Sequence, residues 1–159
     1  VSRVNIHATG LVLDGVGVLL RGPSGAGKSL LALELLDEWE ARGRAARLVA
    51  DDRLDLERRD DMLVMHAPPA IAGLAELRGR GVVRRPFAPA APLHLVVDLV
   101  DSLERMPEET AFTTQIEGIA LPRCPVPRRG VVDGGHQALL IREALRALGA
   151  NLGRGKKIP

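Results

Sequence analysis

Apolar positions along this chain follow two periods. Val4, Ile6 and Ala8 alternate with polar neighbours, which predicts a strand with His7 in it, facing away from Ile6. Leu11-Val12-Leu13 and Val16-Gly17-Val18-Leu19-Leu20 are short apolar runs joined by Asp14-Gly15, a strong hairpin signal. The period then changes. Leu31, Leu35 and Trp39 recur every fourth residue with Leu36 beside them, while Glu34, Glu38 and Arg42 fall on the opposite side. This predicts an amphipathic helix over 29–42, stopped by Gly43, with Trp39 as a core residue of its stripe.

Residues 46–50 read as a buried parallel strand ending in Asp51-Asp52, and 53–57 with 62–66 as a second hairpin around a solvated charged turn. After Ala67-Pro68-Pro69, residues 71–77 form a short apolar segment, and the Pro/Ala-rich stretch 86–92 connects to a clear apolar strand over 93–100. Residues 112–121 mix strand-like positions with a turn. Residues 122–130, rich in proline and arginine, cannot be helix and are extended or a loop. A last amphipathic helix covers 137–148, closed by Gly149. The expectation is an α/β chain, a P-loop-containing mixed sheet with flanking helices, forming a single domain over 1–150. A polar, basic, disordered tail is expected over 151–159.

Composition narrows the function more than the fold. A chain of 159 residues buries about two thirds of its unfolded surface without cross-links. The formal charge is only +2, and aromatics make up 2% with no Tyr, so neither a basic footprint nor a stacking platform for nucleic acid is present. No nucleic-acid partner is expected. The one cysteine, Cys124, cannot form an internal disulfide, and no apolar stretch reaches bilayer length, so a cytoplasmic protein without membrane contact is expected.

Candidate chemistry centres on Gly22-Pro23-Ser24-Gly25-Ala26-Gly27-Lys28-Ser29, which reads G-x-x-x-x-G-K-S between an apolar strand and a helix. Glycines let backbone N–H groups turn inward around a phosphate, and the helix N-terminus favours an anion. Lys28 would span the β- and γ-phosphates and the Ser29 hydroxyl would hold Mg²⁺. Asp51 and Asp52 fall at a strand end beside that loop, where one carboxylate could approach Mg²⁺ and the other a reacting hydroxyl, or both could belong to a solvated turn. His7 is a functional candidate or a simple surface residue. Glu76-Leu77-Arg78-Gly79 is a close-held loop or a surface turn. Arg128 and Arg129 could meet phosphate or an acidic surface, or lie in solvent.

Together His7, the phosphate loop 22–29, Val49-Ala50-Asp51-Asp52-Arg53 and Glu76-Leu77-Arg78-Gly79 resemble, over residues 4–148, the catalytic domain of bacterial HPr kinase/phosphorylase. The resemblance implies a short form made of that domain only. It implies a kinase using ATP and Mg²⁺ to phosphorylate a serine of the phosphocarrier protein HPr within the phosphotransferase system, often reversing the reaction with inorganic phosphate. It also implies a homo-oligomer, a hexamer. Carried onto this sequence, Asp51 would be the base, His7 would lie beside it, Lys28 would neutralise the transferring phosphoryl group, and Ser29, Asp52 and Glu76 would form the metal shell. Arg78, Arg128 and Arg129 would be possible phosphate or substrate contacts. The segment 125–130 follows the family's pattern only loosely. A related kinase with another acceptor, or an ATP-sensing module, are the alternatives; the retention of both Asp51 and Glu76 argues against a pure sensor.

Overall fold

A computed structural model describes residues 2–152 of the chain. The strands are β1 (Arg3–Ile6), β2 (Thr9–Leu13) and β3 (Val16–Arg21), followed by helix α1 (Lys28–Ala41). Next come β4 (Ala46–Ala50), β5 (Leu54–Arg59), β6 (Met62–His66), β7 (Leu74–Leu77), β8 (Gly81–Arg84), β9 (Ala90–Pro92) and β10 (Leu95–Val100). Strands β11 (Thr113–Ile116) and β12 (Ile119–Pro127) and helix α2 (Gly134–Leu152) complete the described part.

The central sheet has the order β11-β12-β10-β3-β2-β4. Strands β3, β10 and β12 run parallel, and β2 and β4 extend the sheet antiparallel. Asp14 (φ 52°) and Gly15 (φ 81°) both take left-handed conformations, as a tight hairpin turn requires, and join β2 to β3. That hairpin corrects one expectation. Strand β4 runs in the direction of β3, as a strand–helix–strand crossover demands, but β2 lies between them, so β4 is antiparallel to the strand it bonds. The Pro/Arg stretch is extended, as expected, and most of it is β12, held in register on β10 from Val96↔Arg123 to Val100↔Pro127.

Alternation along the central strands feeds two cores. On one face Leu11, Leu13, Val18, Leu20, Leu48, Leu95 and Val97 meet Leu31, Leu35, Leu36 and Trp39 of α1 and Ile141 of α2. On the other, Leu19, Val49, Val96 and Leu121 meet Leu54, Leu56, Leu63 and Met65 of a four-stranded outer sheet, β1-β5-β6-β9. Each fully buried leucine contributes about 1.5–3 kcal/mol. Trp39 is a core residue of the helical stripe, only 2% exposed, with its indole N–H on Asp14 at 2.9 Å. Gly43 (φ 69°) ends α1 by donating to the Glu40 carbonyl.

The layers are therefore helices, mixed sheet and outer sheet, in one α/β domain. Helix α2 continues to Leu152, past the expected domain end at 150. The remainder of the expected tail, 153–159, lies outside the described residues. No helix among the described residues is long and apolar enough to cross a membrane.

Candidate active site

The carboxyl ends of β3, β4, β10 and β12 lie at the same end of the central sheet, where ligands of open α/β sheets bind. Strand β3 delivers the phosphate loop there. Pro23 O accepts the Ala26 N–H at 3.1 Å, and Gly25 (φ 81°) and Gly27 (φ 94°) take left-handed conformations that side chains resist. Gly22 approaches β10 closely, since a Cβ there would lie 3.1 Å from the Leu99 Cβ. Helix α1 starts at Lys28, so its free N–H groups open onto the loop. The Lys28 ammonium is buried and donates to the Gly22 carbonyl at 2.6 Å and the Pro23 carbonyl at 3.2 Å. Its charge thus sits inside the loop.

The acidic pair after β4 is split by its own backbone. Asp52 adopts φ 71°, a left-handed conformation that Asp tolerates better than most residues, and the tight turn is closed by the Arg53 N–H on the Asp51 carbonyl at 2.9 Å. The two carboxylates consequently take different partners. Asp51 is 8% exposed and receives Ser29 Oγ at 2.7 and 3.0 Å, Thr9 Oγ1 at 3.0 Å and the Glu76 backbone N–H at 3.1 Å. Asp52 is exposed and pairs with His7 Nε2. This corrects the expected arrangement: His7 lies beside Asp52 and not beside Asp51, and it occupies the bend between β1 and β2 rather than the first strand.

Thr9 was not read from the sequence. Its hydroxyl donates to Asp51 and accepts the Asp52 N–H at 3.1 Å, so one side chain fixes both members of the pair. The available signal was its position two residues after His7, on the same strand approach. Glu76 comes to the site through its backbone, with its carboxylate exposed; Arg78 follows it at the exposed turn between β7 and β8.

Arg128 and Arg129 are engaged elsewhere. Arg128 pairs with Asp101 at 2.9 Å, and Arg129 makes two bonds of 2.8 and 2.7 Å to Glu34 of α1. The hydrogen-bonded guanidinium holds Glu34 below the usual carboxylate range, and Glu34 in turn holds the Arg129 proton more firmly. Cys124 is buried, which pushes its thiol up to about 12 and removes it as a nucleophile.

A Ser hydroxyl and one carboxylate beneath a phosphate loop suit Mg²⁺, which takes one or two carboxylates and completes its shell with phosphate and water. Among the described residues there is no group of three or more His, Cys, Asp or Glu placed to hold a metal ion. The arrangement supplies a phosphate cradle, a hard-cation corner at Ser29–Asp51 and an accessible carboxylate–imidazole pair at Asp52–His7.

A family model described as HPr Serine kinase C-terminal domain matches residues 1–152. HPr kinase/phosphorylase of Limosilactobacillus reuteri is 33% identical over 155 residues, covering 89% of this chain and 45% of that protein. HPr kinase/phosphorylase 1 of Oceanobacillus iheyensis is 33% identical over 163 residues, covering 92% and 50%. The chain thus spans about half the length of the curated relatives it matches. Among solved structures, the Hpr(Ser) kinase/phosphatase from Coxiella burnetii superposes with a TM-score of 0.73 at 29% identity, covering 94% of this chain and 99% of that one.

Proposed function

This chain belongs to the family of HPr serine kinase C-terminal domains, and from that premise we propose that it is a protein serine kinase that uses ATP and Mg²⁺ and phosphorylates an HPr-type phosphocarrier protein. One observation carries the mechanism: the neighbouring carboxylates Asp51 and Asp52 have different partners and different access to solvent. Bound ATP with its Mg²⁺ would supply the phosphoryl group and neutralise its charge.

The chain's own residues do the rest. The loop 22–29 holds the phosphates, and Lys28 releases its two carbonyl partners to meet them. Ser29 and Asp51 hold the cation corner; both Asp51 oxygens are already hydrogen-bonded, so this carboxylate is poorly suited to collect a proton. Asp52 is suited to it. Its exposed carboxylate would accept the proton of the acceptor serine as the serine oxygen bonds to phosphorus and the bond from phosphorus to the departing ADP breaks, and His7 orients Asp52 through their hydrogen bond. In phosphorolysis inorganic phosphate would attack the phosphorus and leave as pyrophosphate, the bond to the serine oxygen would break, and Asp52 would return the proton to that oxygen. Asp52 therefore takes the base role that sequence resemblance gave to Asp51, and Asp51 takes the metal role, with Glu76 beside it.

Arg78 is the substrate contact we favour among the three arginines, because Arg128 and Arg129 are engaged by Asp101 and Glu34. We assign the protein to the cytoplasm, where ATP is available, and propose that it assembles as a hexamer, the state that the family resemblance implies. Incubation with HPr, radiolabelled ATP and Mg²⁺ should label a serine of HPr. Nucleotide binding without transfer to HPr would overturn the assignment.

A further inference from the structure

Three arginine and aspartate positions outside the mechanism converge beside the site. Along β3, β10 and β12 the side chains alternate, and the rows Leu19–Arg21, Val96–Asp98 and Leu121–Arg123 each step two residues along one face. Leu19, Val96 and Leu121 lie in the core shared with the outer sheet, as does Ala8 next to His7. Arg21, Asp98 and Arg123 therefore extend that face beyond the core, away from α1 and toward the end of the sheet that carries His7 and Asp52.

The three groups form one unit. Arg21 grips Asp98 with two bonds of 2.8 and 3.0 Å, and Arg123 Nε donates to the same carboxylate at 2.6 Å. Arg21 Nη2 also reaches Thr114 Oγ1 at 3.4 Å, and Arg123 Nη1 the Ala111 carbonyl at 2.9 Å. Burial alone would raise the Asp98 pKa; the two guanidiniums outweigh it and hold the acid low. Two fixed cations thus share one anion, leaving the unit at +1. Arg21 Nη1 and Arg123 Nη2 have no protein acceptor among the described residues. The arginines are 33% and 23% exposed, so the spare donors are reachable from solvent.

A partly desolvated pair of guanidinium forks with one uncompensated charge and free donors is a receptor for an anion, and planar forks match carboxylates and phosphates. We propose that the Arg21–Asp98–Arg123 cluster binds an acidic side chain of the acceptor protein and so helps select it. This rests on the reading that the acceptor is a protein whose serine reaches Asp52. The single uncompensated charge matches one monoanionic carboxylate, which a planar guanidinium fork can bind with two parallel hydrogen bonds. The position opposite α1 favours the acceptor over the nucleotide.

The test compares parent, Arg123→Gln and Arg123→Lys for acceptor KM, ATP affinity and the salt dependence of KM, with HPr as acceptor. Arg123→Gln should raise the acceptor KM about tenfold and flatten its salt dependence, leaving ATP affinity at the parent value. Arg123→Lys, which keeps the charge beside Asp98, should lie between them and guards against a folding failure. One Asp→Asn or Glu→Gln change on HPr should raise KM similarly and add nothing to Arg123→Gln. An unchanged KM, a weakened ATP affinity, or the absence of any such acidic position on HPr would overturn the proposal. So would inorganic phosphate competing with HPr in the parent but not in Arg123→Gln, which would make free phosphate the ligand. A parent that transfers nothing to HPr overturns the kinase reading itself, whereas an active parent with indifferent variants overturns only the cluster.

Discussion

Asp51 and Asp52 are adjacent in sequence, yet Asp51 is buried on the Ser29 hydroxyl at 2.7 Å while Asp52 stands exposed on His7. The left-handed backbone of Asp52 makes this divergence possible. The proposed mechanism divides the labour accordingly, with Asp51 as the cation-holding carboxylate and Asp52 as the proton-accepting one. Asp52→Asn retains size and hydrogen bonding but cannot take the serine proton; it should lower HPr phosphorylation by about 10²–10⁴-fold with ATP affinity intact. Asp51→Asn should instead raise the Mg²⁺ requirement and weaken ATP binding in its presence. Measuring nucleotide binding and serine phosphorylation side by side separates the roles, and the opposite pattern would exchange them.

Glu76 donates its backbone N–H to Asp51 and leaves its carboxylate exposed. Glu76→Gln preserves the backbone contact and removes one negative charge near the cation corner. The Mg²⁺ concentration for half-maximal activity should rise about tenfold, the equivalent of about 1.4 kcal/mol. A titration that overlays the parent's would return Glu76 to the role of a surface side chain whose peptide alone matters.

Local signals carried much of the fold. The four-residue spacing of Leu31, Leu35 and Trp39 marked α1, Asp14-Gly15 marked the first hairpin, and the loop 22–29 lay between the strand and helix it requires. Less legible were features that depend on partners distant in sequence. The neighbour of β4 is decided by β2, so strand direction was readable and pairing was not. The split of Asp51 from Asp52 depends on one backbone angle, and Thr9 acts across 42 residues. Arg128 and Arg129 looked like free cations because Asp101 and Glu34 are brought to them only by folding.

Gly17 faces the end of β9 so closely that a Cβ would lie 1.7 Å from the Pro92 carbonyl oxygen and 3.1 Å from the Met65 Cε. Backbone cannot yield as a side-chain tip can. Gly17→Ala should destabilise the fold by about 3 kcal/mol or more, since it overpacks a contact between the central and outer sheets. Urea unfolding monitored by Trp39 fluorescence measures this, and a midpoint equal to the parent's would show that the strands can part without cost.

His94 gives the fold a pH dependence with a definite sign. Its Nδ1 accepts the Gly17 N–H at 2.9 Å, so the neutral ring carries its proton on Nε2, which is buried without a partner among the described residues. Protonation would put a second N–H against that of Gly17, and burial lowers the ring's pKa below the ordinary histidine value of 6.5. Below that value the unfolded chain binds a proton that the folded chain refuses, so this contribution is intact above about pH 6.5 and is lost as pH falls toward the lowered value. The slope for one proton is at most about 1.4 kcal/mol per pH unit. The carboxylates Asp98 and Glu57, whose pKa values the fold also lowers, lose their contributions only further into acid, below the ordinary carboxylate range. His94→Gln can keep an acceptor for Gly17 and does not titrate. Between pH 6.5 and 5 the unfolding free energy of the parent should therefore fall more steeply than that of His94→Gln, and parallel curves over that interval would show that His94 is not the group responsible.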